Sequence, residues 1–155
     1  MERICFYHSP IGILTLAEEG GFLTRLIYQQ AVVTPHIVEK TPLLRQAEGQ
    51  LEAYFKGERK EFDLPLNPRG TEFQQRVWQA LLQIPYGKTV TYGDIAKQIA
   101  NPKGCRAVGS ANNKNPISII IPCHRVIGTN GKLVGYGGGL NNKTFLLNLE
   151  AKNSQ

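Results

Sequence analysis

Residues 56–70, Lys-Gly-Glu-Arg-Lys-Glu-Phe-Asp-Leu-Pro-Leu-Asn-Pro-Arg-Gly, cannot lie inside one continuous helix or one long strand. Two prolines remove backbone donors, two glycines loosen the chain, and the charges give no continuous apolar face. The stretch predicts a short strand followed by an interdomain linker. It divides the 155 residues into an amino-terminal domain, 1–70, and a second domain, 71–155. The charge divides at the same place. Residues 1–70 hold 8 Lys and Arg against 9 Asp and Glu, and residues 71–155 hold 10 against 3. A polyanionic partner would therefore dock on the second half.

The first half predicts a hairpin and a helix. Gly12-Ile13-Leu14-Thr15-Leu16-Ala17 and Phe22-Leu23-Thr24-Arg25-Leu26-Ile27-Tyr28 are strand-like runs around Glu18-Glu19-Gly20-Gly21. Thr41-Pro42 has helix-start chemistry, and Leu44, Ala47, Leu51 and Tyr54 or Phe55 then recur on one face until Gly57. In the second half Thr71-Glu72-Phe73-Gln74 is a capping-box pattern. Phe73, Val77, Trp78, Leu81 and Ile84 follow at helical spacing up to Pro85, with Trp78 as a core anchor. Thr91-Tyr92-Gly93-Asp94 caps a further helix carrying Ile95, Ala96 and Ile99. Asn101-Pro102-Lys103-Gly104 makes a turn, and residues 106–113 form the next helix. Helix, short turn, helix is the helix-turn-helix pattern. In its second helix Ala107, Val108, Gly109, Ser110 and Ala111 are all small, suited to close approach to a helix or to a nucleic-acid groove.

Chemistry concentrates at Ile119-Ile120-Ile121-Pro122-Cys123-His124-Arg125-Val126. An apolar run that reads as a buried strand stops at proline and delivers a thiol, an imidazole and a guanidinium. A thiolate is the attacking form of cysteine, and a neighbouring imidazole or cation raises its population. If the segment were extended, Cys123 and His124 would point to opposite sides and need a bridging water or a sharp turn.

Arg106-Ala107-Val108-Gly109-Ser110-Ala111-Asn112, Asn115-Pro116, Pro122-Cys123-His124-Arg125-Val126, Gly135-Tyr136-Gly137-Gly138-Gly139 and Leu146-Leu147-Asn148-Leu149-Glu150 occur in that order. In this the chain closely resembles the 6-O-alkylguanine-DNA alkyltransferases, also called methylated-DNA–protein-cysteine methyltransferases. The resemblance is specific over residues 71–150 and looser before, where Ser9-Pro10-Ile11-Gly12 and the hairpin match the family's first domain. It implies an α/β (α+β) fold: a small ribonuclease H-like α/β domain with an antiparallel sheet, then a winged helix-turn-helix-like domain holding the DNA-binding and active-site residues.

The resemblance also implies roles. Cys123 takes the alkyl group from 6-O-alkylguanine in double-stranded DNA; pocket volume decides whether 4-O-alkylthymine is also accepted. His124 is the base, acting through water, Glu150 orients it, and Asn115 braces the reactive turn. Tyr92, Val126, Tyr136 and Gly137 line the base pocket, and Tyr92 and the backbone near Tyr136-Gly137 meet charge on the departing guanine. Arg106, Ala107, Ser110, Ala111, Asn112 and Arg125 contact DNA. The lesion must be rotated out of the duplex, and Arg106 fills the gap. Asn112 stands where an apolar residue is usual, and Phe145 where tryptophan is. An alkylated sulfur is a thioether that water does not cleave, so the implied enzyme turns over once, without cofactor or metal, and acts as a monomer.

Cys5, Cys105 and Cys123 form no CxxC pair, and Cys5, His8 and His36 form no recognisable zinc set. No apolar run approaches a membrane span and no secretory start precedes the first strand, so a cytoplasmic protein without membrane contact is expected. Two other functions fit parts of the pattern: a lesion-binding sensor that performs no transfer, which the presence of Cys123 argues against, and a thiol hydrolase using Cys123, His124 and Glu150.

Overall fold

A computed structural model describes residues 1–30, 35–101 and 103–154. It divides into two compact units: Met1–Arg69 with Pro116–Ser118, and Gly70–Asn115 with Ile119–Gln155. The chain passes from the first unit to the second between Arg69 and Gly70. Only the excursion of Pro116–Ser118 into the first unit lacks a sequence signal.

The first unit is a four-stranded sheet with one helix. Its strands are β1 (Glu2–Ser9), β2 (Gly12–Glu19), β3 (Phe22–Tyr28) and β4 (His36–Val38), in the order β3-β2-β1-β4. The pairings are antiparallel except β1 with β4, which is parallel. The expected hairpin is β2–β3. Gly20 and Gly21 both have positive φ, 64° and 85°, as a tight type I′ connection requires. β1 was not anticipated, because its alternating pattern is broken by charged ends. The expected strand within residues 56–70 is reduced to a single bridge between Leu66 and Leu23. Prolines at 65 and 68 limit it, since each lacks the N–H a ladder needs. That bridge and another from Leu26 to Ile117 cover the outer edge of β3.

Helix α1 (Pro42–Phe55) buries Leu44, Ala47, Leu51 and Tyr54 with Ile4, Leu14, Leu16, Leu23 and Leu26 of the sheet. Thr41 caps it by accepting from the Leu44 N–H at 3.2 Å, and its hydroxyl also donates to the buried Glu18 carboxylate at 3.1 Å. Gln50 then fixes the following chain by donating to the Asp63 carbonyl at 3.0 Å and accepting from the Asp63 N–H at 2.9 Å.

The second unit is mainly helical: α2 (Glu72–Leu81), α3 (Tyr92–Gln98), α4 (Cys105–Asn113) and α5 (Leu140–Lys152). Capping boxes start α2, through Thr71 and Gln74, and α3, through Thr91 and Asp94. The first is the box expected from sequence; at the second, where a cap was expected, Asp94 completes a box as well. The turn between α3 and α4 is closed by Gly104 N–H donating to the Asn101 carbonyl at 2.9 Å; Pro102, part of the expected turn, lies outside the described residues. Trp78 is buried, and its indole N–H donates to the Ala111 carbonyl at 2.9 Å, joining α2 to α4. A two-residue parallel sheet, β5 (Val90–Thr91) with β6 (Val126–Ile127), places the start of α3 beside the reactive segment. Among the described residues no helix is long and apolar enough to cross a membrane.

Ile119-Ile120-Ile121 is not the strand expected. The three residues are buried in a turn, and Ile119 has φ 73°. A β-branched residue rarely accepts that conformation, so surrounding contacts must hold it.

Two substitutions test this packing. Thr41→Ala removes both the cap and the donor to buried Glu18 and should lower unfolding free energy by about 2 kcal/mol, with Thr41→Ser near wild type, as read by urea denaturation. Trp78→Phe removes the indole donor to the Ala111 carbonyl and part of a buried ring, and should cost about 1–3 kcal/mol in the same measurement.

Candidate active site

Proline 122 ends the buried turn, and Cys123, His124 and Arg125 form a single 3-10 turn entering β6. The Cys123 N–H donates to the Ile121 carbonyl at 2.7 Å, and the Arg125 N–H to the Pro122 carbonyl at 3.0 Å. The chain thus makes the sharp turn that an extended reading lacked. Two asparagines hold it from outside. Asn115 Nδ2 donates to the Ile121 carbonyl at 2.8 Å, and Asn112 Nδ2 to the Cys123 carbonyl at 3.3 Å.

Cys123 is 3 % exposed, and burial pushes its thiol up, against hydrogen bonds from the Asn115 and Tyr136 side chains and the positive charge of Lys143. The resting sulfur is therefore a thiol at neutral pH. His124 is wholly buried, and burial holds its imidazole below the ordinary value despite the opposing pull of Glu150. Its Nε2 lies 2.7 Å from Glu150 Oε2. An ionised carboxylate only accepts, so the ring proton is on Nε2 and the lone pair on Nδ1, which has no hydrogen-bond partner among the described residues.

Glu150, on α5, is 1 % exposed. Burial alone would raise its carboxyl, but hydrogen bonds from His124 and Arg125 outweigh burial and hold it well below the usual carboxylate range. Arg125 grips both oxygens, Nε to Oε1 at 2.7 Å and Nη2 to Oε2 at 3.0 Å, and the Gly87 N–H adds a 3.3 Å bond to Oε1.

The structure brings Cys123, His124, Glu150 and Asn115 together. Tyr92, at the start of α3, is half-buried, with burial first and then the Cys123 sulfur raising its phenol. Its hydroxyl donates to the Val134 carbonyl at 3.4 Å. A cavity of about 490 Å³ lies here, with Tyr92, Arg106, Gly109, Asn113, Val134 and Gly135 in its wall. A larger, open groove of about 610 Å³ lies along α2 and the end of α3 and contains no nucleophile. Gly137 in the 135–139 loop has a steric reason: a side chain there would meet the Asn113 carbonyl at 3.3 Å.

The expected DNA-contact set divides. Arg106, Ala107 and Ser110 are exposed on α4. Ala111, Asn112 and Arg125 are buried, which corrects their expected place on a DNA-facing surface. Ala111 and Asn112 occupy the inner stripe of α4, one turn from Val108, and Arg125 is turned inward by the Glu150 charge. The Val126 side chain is likewise buried, in β6 rather than in the wall of the cavity.

Sequence reasoning missed Lys143. This lysine has no exposed surface, and its Nζ donates to the carbonyls of Val126 at 2.7 Å and Val134 at 3.3 Å and sits 5.9 Å from the centre of the Tyr136 ring. Burial pulls its ammonium down, and the Cys123 sulfur pulls it back up. Its one available signal is position: Lys143 lies seven residues before Glu150, on the same face of a two-turn stretch of helix. With Arg125 and Lys143 inside, the exposed charges of the second half are Arg76, Lys88, Lys97, Lys103, Arg106, Lys114, Lys132 and Lys152 against Glu72 and Asp94. Among the described residues no group of three or more His, Cys, Asp and Glu side chains is placed to hold a metal ion.

Residues 72–152 match the family described as 6-O-methylguanine DNA methyltransferase, DNA binding domain, and residues 3–68 match its ribonuclease-like domain. A methylated-DNA–protein-cysteine methyltransferase of Methanosarcina acetivorans is 57% identical over 93% of this chain and 95% of its own length. The solved O6-methylguanine methyltransferase of Mycobacterium tuberculosis superposes with a TM-score of 0.92 at 51% identity, covering 100% of this chain and 96% of that one. A structure of the Mycobacterium tuberculosis protein in complex with DNA gives a TM-score of 0.89 at 55% identity over 98% of this chain and 93% of that one. With both family domains matched and relatives of this identity aligned along nearly the whole chain, the protein belongs to the 6-O-methylguanine DNA methyltransferase family.

Proposed function

We propose that this protein repairs DNA directly, moving the alkyl group of 6-O-alkylguanine onto Cys123 in a single, self-inactivating turnover. The observation that carries the reading is the buried sequence of thiol, neutral imidazole and ionised carboxylate at Cys123, His124 and Glu150. The protein is a methyltransferase acting on alkylated double-stranded DNA, and its relatives are named methylated-DNA–protein-cysteine methyltransferase.

In the reaction the Cys123 proton passes, through water, to His124 Nδ1 as sulfur attacks the alkyl carbon. The C–S bond forms, the C–O bond breaks, and guanine leaves with the electron pair. Glu150 stabilises the imidazolium that results, and the proton ultimately goes to the departing base. Tyr92 donates a hydrogen bond to a ring nitrogen of the flipped base, and the backbone at Tyr136-Gly137 meets its oxygen. Arg106, exposed at the start of α4, enters the duplex in place of the extruded nucleotide, while Ala107 and Ser110 allow close approach to the groove. Eight exposed basic side chains against two acidic ones supply the phosphate attraction. A free thiol at Cys123 suits a reducing compartment such as the cytoplasm.

The decisive test is intact-protein mass after mixing with an oligonucleotide containing 6-O-methylguanine. The expected gain is one CH₂ unit, located on Cys123 and abolished in Cys123→Ala; loss of the lesion with no mass gain would refute the transfer. Arg106→Ala should slow transfer from duplex DNA at least about tenfold while leaving reaction with free 6-O-benzylguanine nearly unchanged. Equal losses on both substrates would contradict the intercalating role.

A further inference from the structure

Arg125 spends every nitrogen of its guanidinium inside the protein. Nε and Nη2 grip the two oxygens of Glu150, Nη1 donates to the Ile84 carbonyl at 2.7 Å, and the guanidinium carbon lies 5.6 Å from the centre of the Tyr86 ring. Such a bidentate pair fixes the plane of the carboxylate as well as its position. With that plane fixed, Oε2 is aimed at His124 Nε2.

The charge balance matters as much as the aim. A buried carboxylate facing only an imidazole draws a proton onto the ring, because the resulting ion pair satisfies both charges. A ring already protonated cannot accept the proton of the Cys123 thiol. Arg125 supplies the compensating charge from the other side of Glu150, so the ring need not. Among the described residues the charged groups facing His124 are Glu150 and Lys143 from α5 and Arg125 from its own turn; burial, Arg125 and Lys143 disfavour the imidazolium, and Glu150 alone favours it.

We propose that Arg125 is a positioning residue for the alkyl transfer: by clamping Glu150 and neutralising its charge, it keeps His124 in the neutral Nε2–H tautomer with Nδ1 open to receive the thiol proton. The inference rests on the reading of His124 as the base. It assigns Arg125 a role inside the site in place of the DNA contact expected from its position in the motif.

The test is a pH titration of the His124 ring by NMR, with the resonance identified by its loss in His124→Gln, paired with the pH dependence of methyl transfer from duplex DNA. In the wild-type protein His124 should remain neutral at pH 7. In Arg125→Met the carboxylate is uncompensated, the folded-state ring holds its proton to higher pH, and both the titration and the rising limb of the rate profile should move upward by about one unit or more. Arg125→Lys retains the charge and should titrate close to wild type, with a slower rate because the two-point grip is lost. An imidazolium at pH 7 in the wild type, or an Arg125→Met protein that is less stable but titrates as wild type, overturns the proposal. Should Arg125→Met not fold, the wild type and Arg125→Lys carry the test: a neutral ring in both supports the inference, and an imidazolium in either refutes it. Failure of Cys123 to gain an alkyl group would refute the repair function while leaving the titration unaffected.

Discussion

A carboxylate almost wholly removed from water organises the second unit. Left alone, Glu150 would cost several kcal/mol to bury or would take up a proton. Instead it accepts from His124, twice from Arg125 and from the Gly87 N–H. These donors come from the reactive turn and from the segment after α2, while Glu150 itself belongs to α5. One buried charge therefore sets the relative placement of three segments distant in sequence. Removing either partner would leave the other's polar group stranded.

The same burial defines the state of Cys123, the proposed nucleophile. A thiol enclosed among Asn115, Tyr136 and Lys143 is pushed toward its neutral form, so the resting protein does not present a thiolate to every passing electrophile. Reactivity has to be generated when a substrate is in place, which is the work the proposed reaction gives to His124. Lys143 adds a positive charge near the sulfur while tying the Val126 and Val134 carbonyls together. Its position links the loop at one wall of the cavity to the strand that leaves the reactive turn.

The small residues of α4 are divided between its two sides. Ala107 and Ser110 remain exposed on α4, whereas Val108, Ala111 and Asn112 form its inner stripe. The resemblance assigned Arg106, Ala107, Ser110, Ala111 and Asn112 of this helix to DNA contact, but a helix turns 100° per residue and divides such a set between two sides. Asn112 illustrates the result: a polar residue where an apolar one is usual finds its partner inside, on the Cys123 carbonyl.

Local chemistry was legible in the sequence. The three side-chain caps at Thr41, Thr71 and Thr91 and the Gly20-Gly21 turn depend on neighbours within a few residues, so their patterns are written consecutively. The ordered motifs likewise pointed to Cys123, His124 and Glu150, which the fold brings side by side. What tertiary structure decided was which groups share a desolvated space. Ile119-Ile120-Ile121 reads as a strand by composition, yet packing holds it as a turn with a positive φ. Arg125 reads as a surface cation and Lys143 gives almost no signal, yet both are interior. Their burial becomes favourable only when Glu150, the Val126 carbonyl and the Cys123 sulfur are brought together, and that proximity is a property of the folded chain rather than of any sequence window.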